Sequence, residues 1–372
     1  MSGKLKTALT TTLTLVEQFQ PTLSSRTNAG QPTPTITDEQ TKDSDPLALL
    51  SASATALKSH VTKLSLLTLT SPFTASAVAT TLSTLNESVL PSLVTAALLV
   101  TPESHTAAFQ SEIRILTGTA LKDFFLLVKE VQVVAEDKAS KKGLDQLEKD
   151  TVTLAAGRVW DACDTLIDVA TKGVVGFVVQ RAEEYRALVR DAVEEIEAWD
   201  PDEEGDEFFD ELLDAGADMA GDDSKDDESD EEGSAALHKR KKDALRMLKP
   251  IAQIYPAIIT NRLKKAPVPL TPSTTKVIET LMKNLQQIPE HIDEVAGALY
   301  EDDLDKYTRQ VGKTKDCSSK AINLVALPWA AKRSSVDEET EGDKFTTWSK
   351  TWLKVVGEVS KSIDESSKSR IN

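Results

Sequence analysis

Apolar residues recur at steps of three and four along most of this chain, the spacing that lays one face of an α-helix against a core. Leu9, Leu13, Val16 and Phe19 form the first stripe and predict a helix over residues 4–20, ended by Pro21. Residues 21–44 are rich in Thr, Pro and Ser and poor in apolar positions, which reads as a linker. Asp45 and Pro46 then form a start signal, with Asp as N-cap and Pro at the first helical position. Leu47, Leu50, Ala54, Leu57, Val61, Leu64 and Leu67 follow in helical register. The pairs Ser71 with Pro72, Thr101 with Pro102 and Thr271 with Pro272 repeat that start signal.

Further stripes fill the chain. Phe109, Ile113, Leu116, Ala120, Leu121, Phe124, Phe125, Val128 and Val131 form one. After a break at residues 141–143, Leu144, Leu147, Val152, Ala155, Val159, Trp160, Cys163, Leu166 and Ile167 form the next. Gly173 and Gly176 predict a turn, and beyond it Ala182, Tyr185, Leu188, Val189, Ala192, Val193 and Ile196 are expected to face inward. Leu245, Leu248, Ile251 and Ile254 are interrupted by Pro250 and Pro256, so that helix is expected to kink or split. Residues 266–272 read as a proline-stiffened linker. Val277, Leu281, Leu285, Ile288, Ile292, Val295 and Leu299 make a heptad-type seam. Phe345, Trp348, Trp352, Val355, Val359 and Ile363 mark the last helix.

The reading is an all-α protein of antiparallel helical bundles joined by short, proline-marked turns. Its expected organisation is an N-terminal helix and linker (1–44), a first bundle (45–199), an acidic disordered insert (200–233) and a second bundle (234–372). No fixed-period repeat of the solenoid kind is visible. Composition agrees: 40% of residues are apolar but only 5% aromatic, which disfavours a β-sandwich. The longest apolar run, residues 89–100, is broken by Pro91, Ser92 and Thr95 and is expected to be too short to span a bilayer. The first residues are amphipathic and lack the continuous apolar core of a secretion signal. Cys163 and Cys317 form no CxxC pair and read as free thiols in a reducing compartment.

Charge changes the picture. The net charge is −17, and residues 200–232 hold 18 acids and one lysine, which accounts for all of it. The remainder is a neutral body without the basic face that direct nucleic-acid binding requires. Within the acidic run, Phe208, Phe209, Leu212 and Leu213 sit among carboxylates and would share one side of a short helix. They are candidate partner-docking residues, beside the plainer reading of a solvated, charge-repelled loop. Ser224 and Ser229 each have an acid three residues on and are candidate phosphorylation sites for an acid-directed kinase. Lys239, Arg240, Lys241 and Lys242 are a candidate nuclear-import patch, or else an intramolecular partner for the acids.

Catalytic chemistry finds no pattern. His60, His105, His238 and His291 form no HxxxH pair and have no cysteine at ligand spacing. Asp161, Asp164 and Asp168 share a helix face, which reads as solvated surface rather than a metal or acid–base site. Phosphate-binding glycine loops and GxSxG are absent from the sequence. No catalytic, cofactor-binding or metal residues are expected.

Two stretches, residues 157–164 (GRVWDACD) and 188–199 (LVRDAVEEIEAW), carry a W-x-x-C-D and a D-A-x-E-E pattern ahead of an acidic loop. They resemble the cyclin-D-binding protein family, also described as Grap-and-cyclin-D-interacting proteins. The resemblance implies packed helical bundles in the style of vinculin-type five-helix domains. It also implies a protein that binds other proteins, cyclin-like or transcription regulators, in nucleus and cytoplasm, and restrains cell-cycle progression. A dimerising helix-loop-helix is disfavoured by the residues themselves, because their apolar stripes are consumed by packing within the chain. The expectation is therefore a monomeric adaptor or regulator without enzymatic activity or cofactor. The alternatives are a vinculin-like scaffold and an enzyme with an unrecognised helical site.

Overall fold

The computed structural model describes residues 2–24, 45–137, 145–202, 227–329 and 343–368. Among them only helices and turns occur: α1 (Gly3–Ser24), α2 (Pro46–Leu69), α3 (Ala75–Thr84), α4 (Leu90–Leu99), α5 (Pro102–His105), α6 (Ala107–Asp137) and α7 (Gln146–Ala198). From the end of the acidic run onward come α8 (Asp227–Ala252), which starts within it, α9 (Ile254–Asn261), α10 (Pro272–Tyr300), α11 (Leu304–Leu324) and α12 (Lys344–Lys368). The all-α expectation holds; the acidic insert lies largely outside the described residues.

The chain divides into two compact units. One comprises residues 1–177 with 270–275, the other residues 178–269 with 276–372. In the first, α1 packs on α3 and α6, and α2 packs on α3, α4 and α6. Leu50, Ala54, Leu57, Val61 and Leu64 are fully buried there with Phe109, Ile113, Leu121, Phe124 and Val128. In the second, α12 packs on α8 and α11, over a core that includes Leu248, Ile251, Tyr255, Leu285, Ile288, Ile292 and Val295.

The start signals have local causes. The Asp45 carboxylate accepts the backbone N–H of Leu47 at 2.9 Å. Asp145 and Glu148 cap α7 reciprocally, each side chain accepting the other's N–H at 2.8 Å. Asp303 caps α11 through Lys306 N–H at 2.8 Å. Buried hydroxyls are satisfied inside their own helices: Thr12, Thr68, Thr117 and Thr314 donate to carbonyls four residues back.

Two proline readings are corrected. Pro21 lies inside α1, which runs on to Ser24. The ring falls in the last turn, and Glu17, whose carbonyl loses its donor four residues on, is exposed, so the loss is tolerable there. Thr22 and Ser24 also back-bond to Gln18 and Gln20 at 3.0 Å. Pro72 does not start a helix; it follows a cis peptide bond in the turn after α2, and α3 begins at Ala75. Three inward assignments also fail. Leu147 and Leu188 are 75% and 55% exposed, and Val355 is exposed while its neighbour Val356 is buried.

Between α3 and α4 the chain forms a π-turn over Leu85–Val89, with Leu90 N–H donating to Leu85 carbonyl. Pro91 explains it: an α-helical Glu87 carbonyl would need the N–H that Pro91 lacks, and the ring crowds that carbonyl, so the helix loosens by one residue. The apolar run is thereby part of a longer helical stretch, Ala75–Leu99, which is long and apolar enough to cross a membrane by length and composition. Val78, Leu82, Leu85, Leu90 and Leu93 on that stretch are fully buried within the first unit. The expected turn near Gly173 is real: its φ of 62° and ψ of −168° break α7 there.

Candidate functional site

Phe208, Phe209, Leu212, Leu213 and Ser224 lie outside the described residues. Ser229 falls within the bounds of α8, with its side chain outside the description. The basic run is described in full. Lys239, Arg240, Lys241 and Lys242 sit in the middle of α8. Arg240 pairs with Asp302, and Lys241 donates to the carbonyl of Trp199. Lys239 and Lys242 are exposed.

Around them the same helix staples the end of α7. Lys249 meets Glu197 at 2.7 Å, and His238 Nε2 lies 2.8 Å from Asp202. Ser234 donates to the other Asp202 oxygen at 2.5 Å. These two hydrogen bonds, Ser234 first, hold the Asp202 carboxyl below its ordinary range. Trp199 meets the Tyr300 ring edge-on at 4.9 Å, and Tyr300 donates to Glu195 at 3.1 Å. Partial burial, with that carboxylate beside it, pushes the Tyr300 hydroxyl up to about 12. Asp200, Asp202 and His238 bring three ligating atoms within 4.8 Å of one another, all on exposed side chains.

Two of the three aspartates that share a face of α7 are ion-paired at the surface. Lys58 of α2 donates to both oxygens of Asp164 at 2.6 and 2.7 Å, and Lys172 donates to Asp168 at 2.6 Å. The cysteines make poor nucleophiles. Burial pushes the Cys163 thiol up to about 12, with Asp164 adding to the shift, and burial also raises Cys317. Burial lowers His105 and His291, so both imidazoles stay neutral at pH 7.

The most tightly built polar cluster had no sequence reading. Arg262, between α9 and the short 3₁₀ turn Leu263–Lys265, is 1% exposed. Its Nε donates to Val325 carbonyl at 2.7 Å and Nη2 to Ala326 carbonyl at 2.9 Å. Both Nη atoms reach the Asp343 carboxylate, at 2.7 and 2.9 Å, and the guanidinium lies 4.3 Å from the Phe345 ring centre. Asp343 also accepts Thr346 N–H at 3.0 Å, as the cap of α12. The only signal in the sequence was an Asp three residues before a Thr at a helix start.

A cleft of about 790 Å³ opens in the first unit between the N-terminal half of α1 and the α3–π-turn segment. A second, of about 720 Å³, lies between the end of α1 and α6, lined by Leu23, Gln110, Arg114, Ile115, Gly118 and Lys122. Surfaces of this kind suit contacts with a protein.

Residues 49–202 match the family model described as Grap2 and cyclin-D-interacting, N-terminal. The two stretches that carry the resemblance, residues 157–164 and 188–199, lie inside the match, so the family reading holds there. No curated protein matches the chain.

Proposed function

We propose, taking residues 49–202 as the N-terminal region of a Grap2-and-cyclin-D-interacting protein, that this chain is a protein-binding adaptor and not an enzyme. The observation that carries the reading is the family match itself, which covers α3 to α7 and nearly all of α2. The thiols accord with it, since burial raises both and leaves them poor nucleophiles.

At finer grain, we propose a cyclin-like partner and a restraining role in cell-cycle progression, exercised in nucleus and cytoplasm. The acidic run adds a steering element, with Phe208, Phe209, Leu212 and Leu213 as docking side chains and Ser224 and Ser229 as sites where phosphate deepens the field. Nuclear entry would use the basic run, whose Lys239 and Lys242 are exposed on α8.

The test is affinity capture from nuclear and cytoplasmic extracts with the intact chain and with a variant lacking residues 203–226. Cyclin-type proteins recovered by the intact chain support the adaptor reading. Their loss with the deletion assigns docking to the acidic run, and their retention assigns it to a helical face. Recovery of no specific protein from either fraction would overturn the adaptor reading.

A further inference from the structure

We infer that the basic face of α8 from His238 to Lys249 is the docking groove for residues 203–226 of the same chain. The inference goes beyond the adaptor reading and stands without it. The groove is a shallow cleft of about 410 Å³ lined by His238, Lys241, Lys242, Leu245, Arg246 and Lys249. These positions recur at helical spacing, so they share one face of α8 over about 16 Å. Four of the six are formal cations, and among the described residues no carboxylate joins the lining. His238, Lys242, Arg246 and Lys249 are exposed, and Leu245 is a half-buried apolar position between them. The structure therefore redraws the basic run. Arg240 is taken up by Asp302, while Leu245, Arg246 and Lys249 extend the face up to two turns beyond Lys242.

The contacts these cations already make leave them open to an anion. Lys241 donates to a neutral carbonyl, that of Trp199, and keeps its charge. Lys249 with Glu197 and Arg246 with Asp243 are pairs made by exposed cations, the second at 3.6 Å, and such pairs exchange readily with other carboxylates. Residues 203–226 carry eleven acids and one lysine, the charge that complements the groove. Chain connectivity also delivers them to it. The segment begins directly after Asp202, whose carboxylate accepts from Ser234 and lies against His238 at one end of the groove. It ends directly before Asp227, the first residue of α8. Its 24 residues can span up to roughly 80 Å, several times the length of the groove. Phe208 and Phe209 come six and seven residues after Asp202. Leu245 lies about 10 Å along α8 from His238, within reach of those rings. A tether this short holds its segment at an effective concentration of order millimolar, so a free acidic peptide has to displace it. While docked, the segment covers Lys242 together with Phe208, Phe209, Leu212 and Leu213. Partner capture and nuclear entry, as proposed above, then begin with its release, a consequence that does rest on the adaptor reading.

The probe is a synthetic peptide of residues 203–226, titrated to about 1 mM in a calorimeter at about 150 mM salt, where the Debye length is ~8 Å. It is added to the intact chain and to a variant in which a Gly/Ser linker of equal length replaces residues 203–226. The expected result is saturable binding to the linker variant and at least tenfold weaker binding to the intact chain, whose groove its own segment fills. Lys242→Glu combined with Arg246→Glu in the linker variant is expected to weaken binding at least tenfold. Both positions are exposed, so circular dichroism should report an unchanged fold. Equal binding to the intact chain and the linker variant means an open groove, and overturns the assignment in favour of an acidic partner. Binding that survives the double charge reversal lies elsewhere on the chain and overturns it too, as does no binding at about 1 mM peptide. None of these outcomes bears on the extract capture above, so the two proposals fall separately.

Discussion

Arg262 keeps a full charge at 1% exposure because the chain surrounds it with acceptors: two carbonyls at the end of α11 and the carboxylate that caps α12. Removing the guanidinium leaves the buried Val325 carbonyl without its donor while Asp343, 38% exposed, can turn to water, at a cost of about 1–3 kcal/mol. Arg262→Ala is expected to lose that much in urea denaturation, and Arg262→Lys only part of it, because an ammonium cannot reach all the acceptors in one plane. A loss below about 1 kcal/mol in the alanine variant would show the cluster to be incidental. The same pair sets a pH dependence. Arg262 holds the Asp343 carboxyl well below the usual carboxylate range, with Thr346 contributing. Its stabilisation is therefore complete above about pH 4 and is lost as pH falls toward the depressed value. Asp343→Asn should flatten the acid limb of a thermal-melt series between about pH 4 and pH 2. None of this was legible in the sequence: Arg262 donates to residues 63, 64 and 81 positions away, and no local pattern reports such distances. The seam from Leu281 to Leu299 was legible because its signal is periodic and local, and every one of its positions from 281 onward is buried.

Helix ends were readable to the extent that one side chain decides them. Asp45 caps α2 as its residue type predicts, whereas Pro21 and Pro72 could not be placed from type alone. Proline is costly where a carbonyl would be stranded in the core, and tolerable in a last turn open to water. Gly173 is the opposite case, since its φ of 62° with ψ of −168° lies in a region that essentially only glycine occupies. Gly173→Ala is expected to destabilise by about 1–3 kcal/mol, read as an earlier unfolding transition in urea, with the cost arising from backbone strain. The nearest atom to an added Cβ there is Leu47 Cδ1 at 3.8 Å, an ordinary contact, so crowding contributes nothing. Gly157 serves as the control: it is α-helical, an added Cβ meets nothing within 4 Å, and Gly157→Ala should be neutral or stabilising by up to about 1 kcal/mol. Equal destabilisation at both glycines would refute the backbone explanation.

At the scale of the molecule, a neutral body carries a segment that alone accounts for a charge of −17. The division matters for binding kinetics, because long-range charge acts on encounter while packed contacts act on dissociation. A partner with a basic surface captured by the chain should therefore show an association rate that falls with salt. The fall should be roughly tenfold between about 50 and 300 mM, as the screening length shortens from ~14 to ~6 Å. Deleting residues 203–226 removes eleven acids and one lysine, leaving a net charge of −7, and should flatten that dependence. Stopped-flow measurements on the intact chain and the deletion variant check this. If the deletion instead raises the dissociation rate with the slope unchanged, Phe208, Phe209, Leu212 and Leu213 are contact residues and the acids around them are not a steering field.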